Sequence, residues 1–469
     1  MEKTAKRKLG GREATSARID GDVALAVGKP DRAPPKGWRW RLLTDLARLE
    51  SGHTPSRKRP EYWGGEIPWI GIRDATGNHG RTISQTNEYT NQLGIANSAA
   101  RILPAGTVCL SRTASVGYVV VMGCPMATSQ DFVNWSCGPD LSANFLKYAL
   151  MAEGEALLRF ASGSVHQTIY FPEVKSFYLA TPPISEQIGI AEILGSLDAK
   201  IELNRQMNET LEAMAQALFR DWFVEFGPTG RKLRGVTDPV EVMGGLVQNV
   251  ERALALAALF PAKLDQDGLP EGWKGGTLGD LAKSAGITVD PNSIEPQTPY
   301  IGLEHMPRKS IALNEWEAAS KVTSTKAKFE AGQILFGKLR PYFHKVGVAP
   351  VDGVCSTDIV VLDAKTAMDR PLLTSLASSD EFVRFTDRGS TGTKMPRTGW
   401  ANMKSYPLVK ASEAVRQSYS DLIGPMLDRI VANVHENQAL AATRDLLLPK
   451  LMSGEIRLSD AEDLMEAAQ

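Results

Sequence analysis

Residues 332–339, Gly-Gln-Ile-Leu-Phe-Gly-Lys-Leu, have the glycine and lysine spacing of a phosphate-binding loop. Leu339, however, stands where a magnesium ion needs a Ser or Thr hydroxyl, and the apolar interior reads as a buried strand. Asp358, Asp363 and Lys365 are spaced loosely like a metal-dependent nuclease centre. Asp358 is matched by Asp131 in the other half of the chain, where no Asp-x-Lys follows, so the spacing is read as coincidence. Cys109, Cys124, Cys137 and Cys355 form no CxxC pair and lack paired-His spacing, which argues against a zinc site and a disulfide framework. The chain has no Asn-Pro-Pro-aromatic or Asp-Pro-Pro-aromatic motif for methyl transfer to an amino group. It also has no Gly-x-Gly-x-x-Gly cofactor turn. The expectation is a non-catalytic protein with no catalytic residue, no metal and no cofactor of its own.

What the sequence offers instead is a duplication. Gly37-Trp38 with Asp45-Leu46 returns as Gly272-Trp273 with Asp280-Leu281, and Pro68-Trp69-Ile70-Gly71-Ile72 returns as Pro299-Tyr300-Ile301-Gly302-Leu303. Ala105-Gly106 and the run to Arg112 are answered by Ala331-Gly332 and the run to Lys338 and Arg340. Ser129, Asp131 and Val133 are answered by Ser356, Asp358 and Val360. A period of about 229 residues is far beyond the roughly 20–50 of solenoids and propellers, so a whole domain with its connecting helix is repeated.

Each copy ends in a helical seam. Ile190, Leu194, Leu197, Ile201, Asn204, Asn208, Leu211, Ala215, Leu218 and Trp222 step alternately by 4 and 3, the a/d stripe of a coiled coil. Adding 229 gives Tyr419, Ile423, Met426, Ile430, Asn433, Asn437, Leu440, Arg444, Leu447 and Leu451. A buried Asn is tolerated where another Asn completes its hydrogen bonds, so Asn204, Asn208, Asn433 and Asn437 are read as register-setting. Antiparallel pairing sets Asn204 against Asn437 and Asn208 against Asn433. A parallel pairing also matches Asn with Asn, but a two-fold arrangement of identical units favours the antiparallel one. A stripe of this length spans roughly 50 Å at about 1.5 Å per residue. Arg444 is expected to weaken the outer layer of the seam.

At 43% hydrophobic the chain can fill two ordinary cores, and no apolar stretch approaches the roughly 20 residues that cross a membrane. It is expected to be soluble and cytoplasmic, with no membrane partner. The formal charge of -1 hides an uneven distribution. Lys and Arg exceed Asp and Glu by 14 to 11 over 36–180 and by 18 to 15 over 269–411, while 184–226 carries 3 against 8. Short apolar runs at 107–110, 118–122, 334–336 and 359–362 read as buried strands, and 142–160 as helical. The fold class is therefore α+β: two tandem-duplicated globular domains separated by two long helices that form an antiparallel, pseudo-two-fold coiled coil. The expected boundaries are a flexible basic leader at 1–35, a first domain at 36–183 and its helix at 184–227. A connector at 228–268, a second domain at 269–411, a second helix at 412–456 and a tail at 457–469 follow.

Several landmarks together resemble one family. They are Pro183-Ile184-Ser185-Glu186-Gln187, Leu197-Asp198-Ala199-Lys200-Ile201, Asn208-Glu209 and Leu218-Phe219-Arg220-Asp221-Trp222-Phe223, then Leu259-Phe260-Pro261 and residues 448–456, Leu-Pro-Lys-Leu-Met-Ser-Gly-Glu-Ile. In this order, over about 36–456, the chain resembles the specificity subunits of type I restriction-modification enzymes. The resemblance implies two target-recognition domains, each reading one half of a split double-stranded DNA target. It also implies two modification subunits and restriction subunits as partners, which would carry S-adenosylmethionine, ATP and Mg2+. The alternative is a scaffold or mimic that sequesters modification subunits without reading DNA.

Readout of DNA needs donors that reach base edges and cations on phosphate. In the first half the candidates are Arg57, Lys58 and Arg59 beside Tyr62 and Trp63, then Arg73, Arg81, Arg112, His166 and Gln167. In the second they are Lys338, Arg340, Lys345, Arg388, Lys394 and Arg397, with Thr391 and Thr393 on a Gly-flanked loop.

Overall fold

The computed structural model describes residues 13–113, 115–162 and 167–461. The chain divides into two compact units, Met1–Ala199 with Leu440–Gln469, and Lys200–Ala439. Both are α+β, and one strand order recurs. In the first unit Ala47–Ser51, Phe132–Cys137, Val108–Ser111 and Val119–Met122 lie side by side, with Thr82–Ile83 at the far edge. In the second, Ala282–Ser284, Ile359–Ala364, Ile334–Gly337 and Val346–Val348 follow the same order. The interior of the pseudo-phosphate loop, Ile334–Gly337, is thus a buried β-strand, as its apolar character requires. Asp363 lies 3.5 Å from Lys283 on the neighbouring strand.

The duplicated Pro-aromatic-Ile-Gly segments do equivalent work. Trp69 and Ile70 pair in parallel with Ala127 and Thr128, and Tyr300 and Ile301 pair in parallel with Val354 and Cys355. Each unit also pairs its last strand with an early one, Phe177–Thr181 with Arg39–Leu42 and Pro407–Lys410 with Lys274–Thr277. That pairing ties the entrance of each domain to the start of its long helix. The helical stretch read at 142–160 is two helices, Ala143–Glu153 and Ala156–Arg159. Gly154, at φ 47°, ends the first in a positive-φ conformation that other residues rarely adopt.

The long helices are Ile184–Phe219 and Glu413–Met452. Their register is antiparallel: Asn204 Nδ2 donates to Asn437 Oδ1 at 3.0 Å, and Asn433 Nδ2 to Asn208 Oδ1 at 2.8 Å. Both layers belong to the second unit, whose core takes Leu218, Ile423 and Ile430, while Leu194, Leu447 and Leu451 belong to the core of the first. The family landmarks are packing sites. Trp222, Phe223, Phe260, Trp273 and Tyr419 form one aromatic cluster in the second unit, with centroids 5.0 Å apart for Trp222–Phe260 and for Phe223–Tyr419.

Two expectations are corrected here. Arg444 does not weaken its layer as an orphan charge, because its guanidinium donates to Asp198 at 3.0 Å and to Asp445 at 2.8 Å. Asp198 also accepts from Tyr148 Oη at 2.6 Å and Lys147 Nζ at 3.4 Å. The second correction concerns 1–35, read as a flexible leader. Residues 1–12, with most of its basic side chains, lie outside the described residues, but Ile19–Asp20 and Leu25–Val27 are strands of the sheet that also holds Phe177–Thr181 and Arg39–Leu42. Ala24 through Val27 are fully buried.

Glu153 fastens this segment. Its carboxylate accepts from the backbone N–H of Asp22, Ala24 and Leu25, each at 2.7 Å, and of Val23 at 3.2 Å. Removing it leaves the buried N–H groups of Ala24 and Leu25 without their acceptor, so Glu153→Ala is expected to cost about 2–4 kcal/mol. Hydrogen exchange should speed up first at the amides of residues 19–27, and an unchanged exchange pattern would refute the role. Burial raises the Glu153 carboxyl overall, against the lowering effect of the N–H bonds. A raised folded-state value means that this group's titration favours folding below the ordinary carboxylate range. That contribution is lost as pH rises through the raised value.

Among the described residues no helix is long and apolar enough to cross a membrane.

Candidate nucleic-acid interface

The same polar turn stands at the head of the same strand in both units. The backbone N–H groups of Asp131 and Asp358 each donate at 3.2 Å to the serine hydroxyl two residues earlier, Ser129 and Ser356. The carbonyls of the two aspartates accept, at 2.8 Å, from the N–H groups of Arg112 and Lys338. A further loop closes on each turn. Thr168 bridges to Thr113 and Ser162, and Arg397 bridges to Leu339 and Thr391. The Ser162–Thr168 and Thr391–Arg397 bridges are therefore counterparts in the repeat.

In the first unit this geometry gathers Arg112, Arg57 and Arg73. The Arg112 guanidinium donates to the Gln130 carbonyl at 3.0 Å and lies 5.0 Å from the Phe171 ring centre. Burial pushes its pKa down, and Asp131 opposes that shift. Thr54 bonds Gln130, and Trp69 Nε1 donates to the His53 carbonyl at 3.2 Å, which carries the cluster towards Arg57. Arg57 sits 4.0 Å from the Trp63 ring and 4.9 Å from Trp69, and donates to Glu88 at 2.7 Å. Glu88 feels Arg73 as well, so these cations share one acidic neighbour. Lys58 and Arg59 are exposed on the adjoining turn, with Arg59 3.5 Å from Glu61. Gln167 is exposed on the closing loop, and His166 lies outside the described residues. Arg81 precedes the edge strand Thr82–Ile83, which pairs with Val119–Met122 and not with these loops.

In the second unit, Arg340 N–H donates to the Pro396 carbonyl at 2.7 Å and its Nη2 to the Lys394 carbonyl at 3.4 Å. The Arg397 fork grips Asp358 at 3.0 and 3.4 Å, so part of its charge is compensated. Lys345 Nζ donates to the Leu303 carbonyl, and burial with Arg308 nearby lowers its pKa. Thr391, Thr393 and Lys394 are exposed together on the closing loop, and Arg388 is exposed at the end of the preceding helix, Asp380–Arg388. Sequence reasoning missed Gln130, Arg308 and the rings of Phe171 and Phe343. The doublet Arg308-Lys309 was a usable signal; the position of Gln130 between Ser129 and Asp131 was another.

Guanidinium groups fixed by carbonyls and rings present planar donor forks in set orientations, which suits base edges and phosphate oxygens. No group of three or more His, Cys, Asp or Glu able to hold a metal occurs among the described residues.

The family described as "Type I restriction modification DNA specificity domain" matches residues 35–213. The chain is 25% identical over 447 residues to the type I restriction enzyme MjaIX specificity subunit of Methanocaldococcus jannaschii, covering 91% of this chain and 95% of that one. It is 25% identical over 344 residues to the HindI specificity subunit of Haemophilus influenzae, covering 63% and 72%. Its fold resembles the crystal structure of a type I restriction-modification S subunit from M. genitalium, with a TM-score of 0.51, 16% identity and coverage of 89% and 99%.

Proposed function

Because the chain belongs to the specificity-subunit family of type I restriction-modification systems, we propose that it reads DNA for such a complex, with each unit contacting one half of a bipartite double-stranded target. The observation that carries this reading is the repeated turn at Asp131 and Asp358, with a closing loop and fixed cations beside it in both units. Two similar frames with different side chains suit two different half-sites. Specificity subunits are non-catalytic as a family. Chemistry is assigned to partners: two modification subunits docked on the helix pair, using S-adenosylmethionine, and restriction subunits using ATP and Mg2+. The proposed setting is the cytoplasm, where those partners meet DNA, and the paired helices set the gap between half-sites.

The test is selection from random duplexes by the chain co-purified with its modification subunits. Enriched duplexes should share two fixed segments split by a gap of constant length. An intact complex that enriches nothing would favour the scaffold or mimic reading. Within the second unit, Lys394→Ala with Arg397→Ala is expected to weaken binding of the selected duplex about 10-fold at low salt. It should also flatten the slope of log affinity against log salt by about one. Unchanged affinity and slope would remove this loop from the interface.

A further inference from the structure

Each unit carries a Tyr-Phe pair in the same chemical arrangement at positions the repeat does not relate. In the second unit the 3-10 turn Pro341–Phe343 holds Phe343 with its ring 4.1 Å from the Arg308 guanidinium, and leaves Tyr342 53% exposed. In the first, Phe171 lies under Arg112 at 5.0 Å and Tyr170 is 42% exposed. The repeat offset of about 229 would carry Tyr170 to Gly399, so the likeness is not inherited from the duplication.

The turn at 341–343 is held rigidly. Three of the four non-glycine residues with positive φ among the described residues meet there: Lys309 at 55°, Arg340 at 51° and His344 at 51°. Lys309 N–H donates to the His344 carbonyl at 2.9 Å, and the His344 ring bonds the Ser378 carbonyl at 2.9 Å. Strained backbone persists where its surroundings enforce it, often at a working surface. Here the strain supports an exposed aromatic, Tyr342, whose neighbour Phe343 has the Arg308 and Arg340 guanidinium groups 4.1 and 5.9 Å from its ring. An aromatic wedge bordered by cations fits a duplex whose phosphates meet the cations while the ring enters the base stack.

Resting on the DNA-reading proposal, we propose that Tyr342 and Tyr170 stack on exposed base faces by opening a base step in their respective half-sites. Specificity then includes how readily the contacted step unstacks, beyond the hydrogen bonds made to base edges.

The experiment uses the complex of the full chain with its modification subunits and the duplex obtained by selection. Tyr342→Ala is expected to weaken binding about 5- to 150-fold, the range for losing one base–aromatic stack, with the salt slope unchanged. Tyr342→Phe should stay within about twofold, since the ring does the stacking. Wild type should raise permanganate reactivity at a thymine of one half-site, other than the partner of the methylated adenine, and Tyr342→Ala should abolish it. Tyr170→Ala should do the same in the other half-site. If wild type binds the duplex but Tyr342→Ala retains affinity and thymine reactivity, the stacking proposal is wrong and the DNA-reading proposal stands. A loss of affinity with a flattened salt slope would assign the turn to phosphate contact and overturn stacking. Failure of wild type to bind any bipartite duplex would overturn both.

Discussion

Asp198→Ala should cost about 3–5 kcal/mol of stability, because it leaves the buried Lys147 without its counter-charge and Arg444 with Asp445 alone. Lys147 keeps only 7% of its side chain exposed and Arg444 only 23%, and both converge on the Asp198 carboxylate, which Tyr148 also bonds. Burial lowers the Lys147 pKa and Asp198 opposes that shift. Without Asp198 the depression deepens, so the unfolded chain binds the Lys147 proton more tightly than the folded one. Stability of the variant should then rise with pH as the alkaline range is approached, narrowing its deficit. Urea unfolding at two pH values checks both parts. A deficit below about 1 kcal/mol, typical of a solvent-screened surface pair, would mean that the cluster is dispensable.

The second large effect is mechanical. Seven residues added after Asn208, matched by seven before Asn433, keep both Asn layers and the a/d stripe in phase. They lengthen the pair by about 10 Å, which is roughly three base pairs at about 3.4 Å each. Methylation at the original target should disappear and reappear at a target with the same half-sites and a gap about three base pairs longer. Altered half-sites at the old gap would contradict the role given to the helices.

Which parts of this could be read from sequence follows from interaction range. The duplication, the helical stripes and the Asn layers were visible because they rest on local period and on identity between copies. The strands at 19–27 were not: the basic residues of the first 18 positions dominated the reading, while the partner that fixes 22–25 is Glu153, more than 125 residues away. Arg444 was misjudged for the same reason, since Asp198 lies on the other helix, 246 residues earlier. In the candidate interface, loop polarity singled out the segment at 391–397 that closes on the Asp358 turn, and residues around Arg57 and Arg112. It gave no means of separating Arg81 from them, because Arg81's place is set by strand pairing at the opposite edge of the sheet. The aromatic supports under the guanidinium groups were hidden because Phe171 and Phe343 read as ordinary apolar residues.

The most direct measurement is single-molecule sequencing of adenine methylation in a methylation-free host that expresses this chain with its modification subunit, with the chain omitted as control. A bipartite methylated motif that appears only with the chain is the predicted result, and it gives both half-sites and their gap together. No methylated motif, from a complex shown to be intact by co-purification, would contradict the account.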